Sequence, residues 1–280
     1  MQSVFGKFVG KFMLRSSIMA STLALFLALP AYSATLSGDF SGSVVAPTTF
    51  SGDQLVHSGS GTDNFAWGAS SGPAETVEDG DASEFLFESS SFNYSAIAPG
   101  DYLLGTITWV NESNWHAGGV WESTMTLNLS LDTPEGVVEK SLPISFTIDN
   151  TIDLYEDTDL NESTGSIPDV ITGLSFAEGA FDLPIDLGGG LLLSDIFFQL
   201  DVAGTPGSAW TPEDGFMHNG VASASQFNPA TGVWESREGG TSVIGIYGSV
   251  SPVPLPAGIW LMISGLGGVF MMRRRKEQNA

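Results

Sequence analysis

The residues best suited to chemistry are oxygen-bearing and acidic. Asp153-Leu-Tyr-Glu-Asp-Thr-Asp-Leu-Asn-Glu-Ser163 packs acids and an Asn into one short segment. Asp157, Asp159 and Asn161 stand at alternate positions, and in a turning loop such side chains converge on one hard cation. The helix-loop-helix calcium pattern then requires Gly at the sixth position and a bidentate acid at the twelfth. Here those places hold Glu162 and Pro168. The segment is therefore either a looser calcium site, helped by Asp153 or Glu156, or a solvated acidic loop. A weaker cluster is Glu78-Asp-Gly-Asp81 with Glu84. Calcium is the one cofactor these residues suggest. A calcium site predicts a rise in melting temperature at millimolar calcium; an unchanged temperature removes it.

Catalytic constellations are sparse. His57, His116 and His218 are far apart in the chain. A nucleophile–base pair would have to join His116 or His218 to one of many serines. No HExxH or Gly-rich phosphate loop is present. A glycoside hydrolase needs only two opposed carboxylates, and acids are plentiful.

Tryptophans Trp67, Trp109, Trp115, Trp121, Trp210 and Trp234 lie in the body of the chain. Exposed aromatics stack on sugar rings, whereas core and sheet-edge packing is their usual employment. Trp115 is the best candidate for a glycan contact, because Asn111 to Gly119 reads as a loop. Asn93, Asn111, Asn128 and Asn161 each begin an Asn-x-Ser sequence, which reflects composition.

These residues must be held by strands. Thr124 to Leu131 alternates strictly, with Met125, Leu127, Leu129 and Leu131 on one face. Ile144 to Ile148 repeats the pattern. Asp132-Thr-Pro-Glu-Gly136 between them is turn-rich, so the two runs form an antiparallel pair with a lead-in strand around Val137 and Val138. Further strands are expected at Glu84–Glu88, Tyr102–Val110, Gly190–Val202 and Ser242–Val250. Leu191 to Leu200 also fits a helix, but three preceding glycines and the Ile196/Phe198/Leu200 alternation favour a strand. The fold class is all-β: an antiparallel, jelly-roll-like β-sandwich. Gly119-Val-Trp-Glu-Ser123 recurs as Gly232-Val-Trp-Glu-Ser236. The copies either mark equivalent strand entries in two sheets or arise by coincidence.

Two terminal segments stand apart from this body. Lys7, Lys11 and Arg15 precede an uncharged run, Ile18 to Leu29, then Pro30 and Ala31-Tyr-Ser33. That is the layout of a secretory signal peptide, helical and cut after Ser33. The run is shorter than the ~20 residues of a spanning helix. At the other end, Val253-Pro-Leu-Pro-Ala257 leads into an apolar run and then Arg273-Arg-Arg-Lys276. The prolines keep the motif extended. The apolar run inserts as a transmembrane helix, and the cations stay cytoplasmic. The expected organisation is thus a signal peptide over 1–33, a β-sandwich over 34–250 and a C-terminal signal over 251–280.

Trimming both ends changes the charge. Only Lys140 and Arg237 remain in the body against 31 Asp and Glu, a net of 29 negative charges. Such a surface repels nucleic acid and anionic lipid. There is no cysteine, so an exported body must rely on its core. Its roughly 220 residues can bury enough apolar surface to do so.

The tail resembles the PEP-CTERM class of C-terminal sorting signals in its VPLPA variant. The resemblance implies recognition of Val253, Pro254, Leu255, Pro256 and Ala257 by an exosortase, with Arg273, Arg274, Arg275 and Lys276 as the basic stop. It implies export in a Gram-negative bacterium that makes exopolysaccharide. The body is similar to the exported choice-of-anchor K family and its THxN relatives. Phe65-Ala-Trp-Gly68, Leu104 to Asn111 followed by Thr124 to Leu131, Val233 to Gly240 and Ile246 to Ser249 carry that similarity in order. Thr108-Trp109 stands where the THxN form has Thr-His, and the family implies no catalytic residue. The expected role is a non-enzymatic, structural or adhesive protein at the cell surface or in the extracellular matrix. A carbohydrate-binding module, calcium-dependent or not, is the alternative, and a glycoside hydrolase the third. Implied partners are the exosortase, a surface polymer and, before processing, the membrane.

Overall fold

The computed structural model describes residues 34–51, 55–68, 82–112, 119–150, 168–177, 179–202, 204, 216–218, 221–237 and 239–253. They all lie in the unit Ala34–Ala280; Met1–Ser33 lies outside them. Described residues form strands and no helix: β1 (Thr35–Val45), β2 (Phe50–Ser51), β3 (His57–Ser58), β4 (Asn64–Trp67), β5 (Ser83–Glu88), β6 (Ser90–Ser95), β7 (Gly100–Asn111), β8 (Val120–Thr133), β9 (Gly136–Asp149), β10 (Asp169–Thr172), β11 (Ile185–Gly188), β12 (Leu191–Val202), β13 (Phe216–His218), β14 (Val221–Ser223), β15 (Ser225–Asn228), β16 (Val233–Ser236) and β17 (Gly240–Pro252).

Two antiparallel sheets pack face to face as a β-sandwich. Sheet I runs β15-β16-β10-β9-β8-β1-β6, with β2 on β8. Sheet II runs β11-β12-β17-β7-β5-β4-β3. A separate ribbon pairs β13 with β14. The first and last long strands, β1 and β17, both lie inside their sheets rather than at an edge.

The alternating runs do what their period requires. Met125, Leu127, Leu129 and Leu131 are buried on one face of β8, opposite Ile144, Leu142, Lys140 and Val138 of β9. The expected lead-in strand at Val137 is continuous with the Ile144 run, so β8 and β9 make one long hairpin closed at Thr133–Gly136. Leu191 to Leu200 is a strand, with Leu193, Ile196, Phe198 and Leu200 inward. A bulge between Leu193 and Asp195 shifts the inward set by one residue. That shift produces the three-residue spacing that also fits a helix.

The recurring pentapeptides do not enter two sheets. Both lie in sheet I, and their tryptophans share one ladder row: Trp121, Ile148, Ile171, Trp234 and Phe227 face one another across five strands. The row points inward, where Trp121 and Trp234 are buried.

Sheet II answers with Phe65, Trp67, Phe85 and Trp109, all fully buried. Trp67 meets Trp121 edge-on with centroids 5.6 Å apart, and Trp109 meets Trp234 edge-on at 5.2 Å. Phe85 sits among Trp67, Trp109, Phe146 and Trp234. Edge-to-face pairs of this kind each contribute about 0.5–1.5 kcal/mol beyond area burial.

Beside this cluster the sheets interlock through two glycines. The Phe87 ring of sheet II covers Gly42 of β1, where a Cβ would lie 2.1 Å from Phe87 Cδ1. Reciprocally, the Phe40 ring of sheet I covers Gly105 of β7, again 2.1 Å from the place of a Cβ. Each ring fills the hole that a glycine leaves, so neither position tolerates a larger residue without separating the sheets. Gly42→Ala is expected to cost about 1–3 kcal/mol, the usual penalty of overpacking. Ser43→Ala next to it, on the outer face, should stay within about 0.5 kcal/mol. Urea denaturation of both variants checks the contrast.

Candidate functional site

Strand registers define two ends of the sandwich. At one end lie the start of β1, the β8–β9 turn, the β11–β12 turn and the end of β17. At the other end lie the end of β7, the start of β8, the end of β9, the start of β10 and the end of β16. A buried polar layer closes the core there. Asn111 Nδ2 donates to the Ser236 carbonyl at 2.9 Å, joining sheet II to sheet I. Ser83 Oγ donates to Asn111 Oδ1 at 3.2 Å, and Trp67 Nε1 donates to Asn150 Oδ1 at 2.9 Å. Asn111 belongs to β7 and is fully buried, so the expected loop begins after it.

The sequence candidates distribute unevenly over this frame. Asp157, Asp159 and Asn161 lie outside the described residues, as do Asp153, Glu156, Glu78, Asp81, Trp115, His116 and Trp210. Among the described residues no group of three His, Asp or Glu side chains comes together as a metal site. Glu84 lies on the outer face of β5 and accepts from Asn64 Nδ2 at 3.3 Å. Trp67, Trp109, Trp121 and Trp234 are core residues. His57 is exposed on β3 and stacks on Phe65. Val253 is described and 39 % exposed, while Pro254, Leu255, Pro256, Ala257, Arg273, Arg274, Arg275 and Lys276 lie outside. No helix among the described residues is long and apolar enough to cross a membrane.

Both body cations are engaged. Lys140 pairs with Asp182, and its hydrogen bond and charge hold that carboxyl below the usual carboxylate range. Arg237 is buried, with its guanidinium 5.3 Å from the centroid of the Phe216 ring. The outer faces therefore display acids without a free ammonium or guanidinium among the described residues.

The two outer faces differ in chemistry. Sheet I carries a shallow groove of about 660 Å3 lined by short polar side chains. Ser91, Asp39, Ser130 and Glu139 form one row across four strands, with Ser91 Oγ donating to Asp39 Oδ1 at 2.6 Å. Asp39 and Glu139 are both exposed.

Sheet II carries an aromatic strip. Phe197 of β12 and Tyr247 of β17 are a directly opposed cross-strand pair, with rings stacked at 5.9 Å and 21°. Leu103 of β7 continues the row. Gly245 forms the floor: a Cβ there would lie 2.6 Å from Tyr247 Cε2 and 2.6 Å from Asp201 Oδ2. The Tyr247 ring thus lies down over the sheet, with the Asp201 carboxylate beside it. Asp201 shares the outer face of β12 with Phe197 and Gln199 by the strand's two-residue alternation. Tyr247 Oη donates to Asp201 Oδ1 at 2.6 Å. Phe197 also lines an apolar recess of about 430 Å3, shared with Phe176, Phe181 and Phe198. Sequence reasoning did not single out Phe197, Asp201 or Tyr247. Its one available signal was Gly245-x-Tyr247, an aromatic two residues from a glycine on the same strand face.

No protein-family model matches the chain, and no curated protein is detectably similar to it.

Burial, the hydrogen bond to Asp201 and the Asp201 charge together raise the Tyr247 phenol from its ordinary value of 10.0 to about 12. The neutral phenol is favoured by folding, so this contribution is complete below pH 10 and is lost as pH rises toward 12. Absorbance titration at alkaline pH should show one tyrosine ionising late. Tyr247→Phe should delete that late step and flatten the stability loss in the same window.

Proposed function

We propose that this chain is an exported protein of the cell surface or extracellular matrix in a Gram-negative, exopolysaccharide-producing bacterium. Its role is structural or adhesive and non-catalytic. In this reading a signal helix within 1–33 directs export, and a jelly-roll-like sandwich is the exported body. An exosortase recognises Val253 to Ala257, the following apolar run crosses the membrane as a helix, and Arg273 to Lys276 hold its cytoplasmic end.

The observation that carries the reading is where the last described strand ends. The Val253 N–H donates to the Gly190 carbonyl at 2.8 Å, and the Pro-Leu-Pro-Ala stretch follows at once. The motif thus begins in the chain where β17 (Gly240–Pro252) ends. The opposite end of the sandwich bears the strand ends at Asn111, Val120, Asp149 and Asp169. The acidic outer faces, with both cations engaged, agree with the absence of a nucleic-acid role.

A carbohydrate-binding role is the second reading, favoured by the Phe197–Tyr247 strip. Its calcium-dependent form involves Asp157, Asp159 and Asn161; Trp115 is its contact on the far end.

Intact-mass analysis of the protein recovered from its host tests the first reading. The expected mature chain begins at Ala34 and lacks Ile259 to Lys276. A retained Ile259–Lys276 peptide contradicts processing. Pro254→Ala with Pro256→Ala should accumulate the unprocessed chain, because in this reading the prolines keep the motif extended for the exosortase.

A further inference from the structure

We propose that the outer face of sheet II is a binding platform for a neutral glycan, with Phe197 and Tyr247 stacking on pyranose rings and Asp201 and Gln199 accepting or donating to their hydroxyls. The proposal deepens the carbohydrate-binding reading and moves its site from Trp115 to described residues.

Four features of the structure converge on this face. The rings of Phe197 and Tyr247 are stacked at 21° and partly exposed, so together they offer a flat apolar strip rather than a buried core contact. The strip is held rigid. Gly245 lets Tyr247 lie against the backbone, and the phenol is tied to Asp201. Pre-ordered aromatics lose little freedom when a ligand covers them.

Polar groups flank the rings. Asp201 lies on the same outer face as Phe197 and Gln199, and its Oδ2 lies beside Gly245 rather than on the phenol. Gln199 is exposed on the same strand, opposite Gly245. A carboxylate and an amide beside an apolar strip match a pyranose, which has an apolar C–H face and an equatorial rim of hydroxyls.

Charge selects among polymers. Asp195, Asp201, Glu84 and Glu88 lie on strands of this sheet. The body's two cations are engaged elsewhere, Lys140 with Asp182 and Arg237 beside Phe216. A polyanionic chain such as a uronate or sulfated polymer would meet repulsion without a compensating ammonium. A neutral, hydroxyl-rich chain meets none.

Affinity electrophoresis of the full chain in detergent micelles tests the proposal. The gels contain hydroxyethylcellulose, a mixed-linkage β-glucan or a galactomannan, with alginate as the anionic control. Retardation is expected in at least one neutral gel and not in alginate. Phe197→Ala should weaken it by about tenfold or more, as loss of a stacking ring does. Gln199→Ala, an exposed change with no packing cost, should weaken it by a few fold. Tyr247→Ala removes the second ring and should weaken it by a comparable factor. No retardation in any neutral gel overturns the proposal. Retardation that survives both Phe197→Ala and Gln199→Ala overturns it too, since the glycan would then bind elsewhere. A Phe197→Ala chain that fails to melt cooperatively leaves the decision to Gln199→Ala. Binding in micelles does not depend on export or cleavage, so failure here leaves the sorting assignment standing, and failed processing leaves this result standing.

Discussion

The spacing between the two sheets depends on aromatic rings seated over glycines. Phe87 occupies the hole at Gly42, and Phe40 occupies the hole at Gly105. The exchange is reciprocal, one ring and one glycine from each sheet, so it fixes the lateral offset of the sheets as well as their separation. Next to it the Trp67–Trp121 and Trp109–Trp234 contacts wedge around Phe85. A chain without cysteine has no covalent link between its layers. Its cohesion must come from shape, because dispersion and burial act only where surfaces meet at contact distance.

That seating has consequences at both ends. Where the aromatic rows stop, polar side chains take over, and Asn111 and Asn150 satisfy donors and acceptors that the core could not leave bare. These bonds cross between sheets and so hold the end from which the candidate calcium and Trp115 segments depart. The other end closes with tight turns and the final Val253–Gly190 bond. The two ends of the sandwich thus differ, one closed by buried side-chain hydrogen bonds and the other by tight turns.

The faces are polarised too. Sheet I turns serines, Asn128 and two carboxylates outward in a groove. Sheet II turns outward an aromatic pair, cradled by a glycine and steered by bulges on the strands around β17. Both faces share an acidic charge, because Lys140 and Arg237 serve the fold. The difference lies in what each can exclude from water: the groove offers exchangeable hydrogen bonds, and the strip offers apolar area that water solvates poorly.

Period-two alternation identified β8, β9 and the hairpin between them because each strand buries only one face, and the pattern then lies in adjacent residues. The same logic found β5, β7 and β17. It left β12 open to a helix because the bulge at Ser194 breaks the alternation, and a bulge is set by the neighbouring strand. The repeated Gly-Val-Trp-Glu-Ser was visible as a repeat. Its meaning, two tryptophans in one inward row separated by Ile148 and Ile171, required β9 and β10 to be placed between its copies. The strip escaped notice for the same reason. Phe197 and Tyr247 are far apart in the chain and become neighbours only by β12–β17 pairing. The sequence by itself determined the net charge, the reliance on a core without disulfides, the strand periodicity and the composition of both terminal segments, all properties of residues or of their near neighbours. Tertiary structure alone decided which aromatics are core and which form a surface, because burial depends on pairing and packing between segments that the chain order keeps apart.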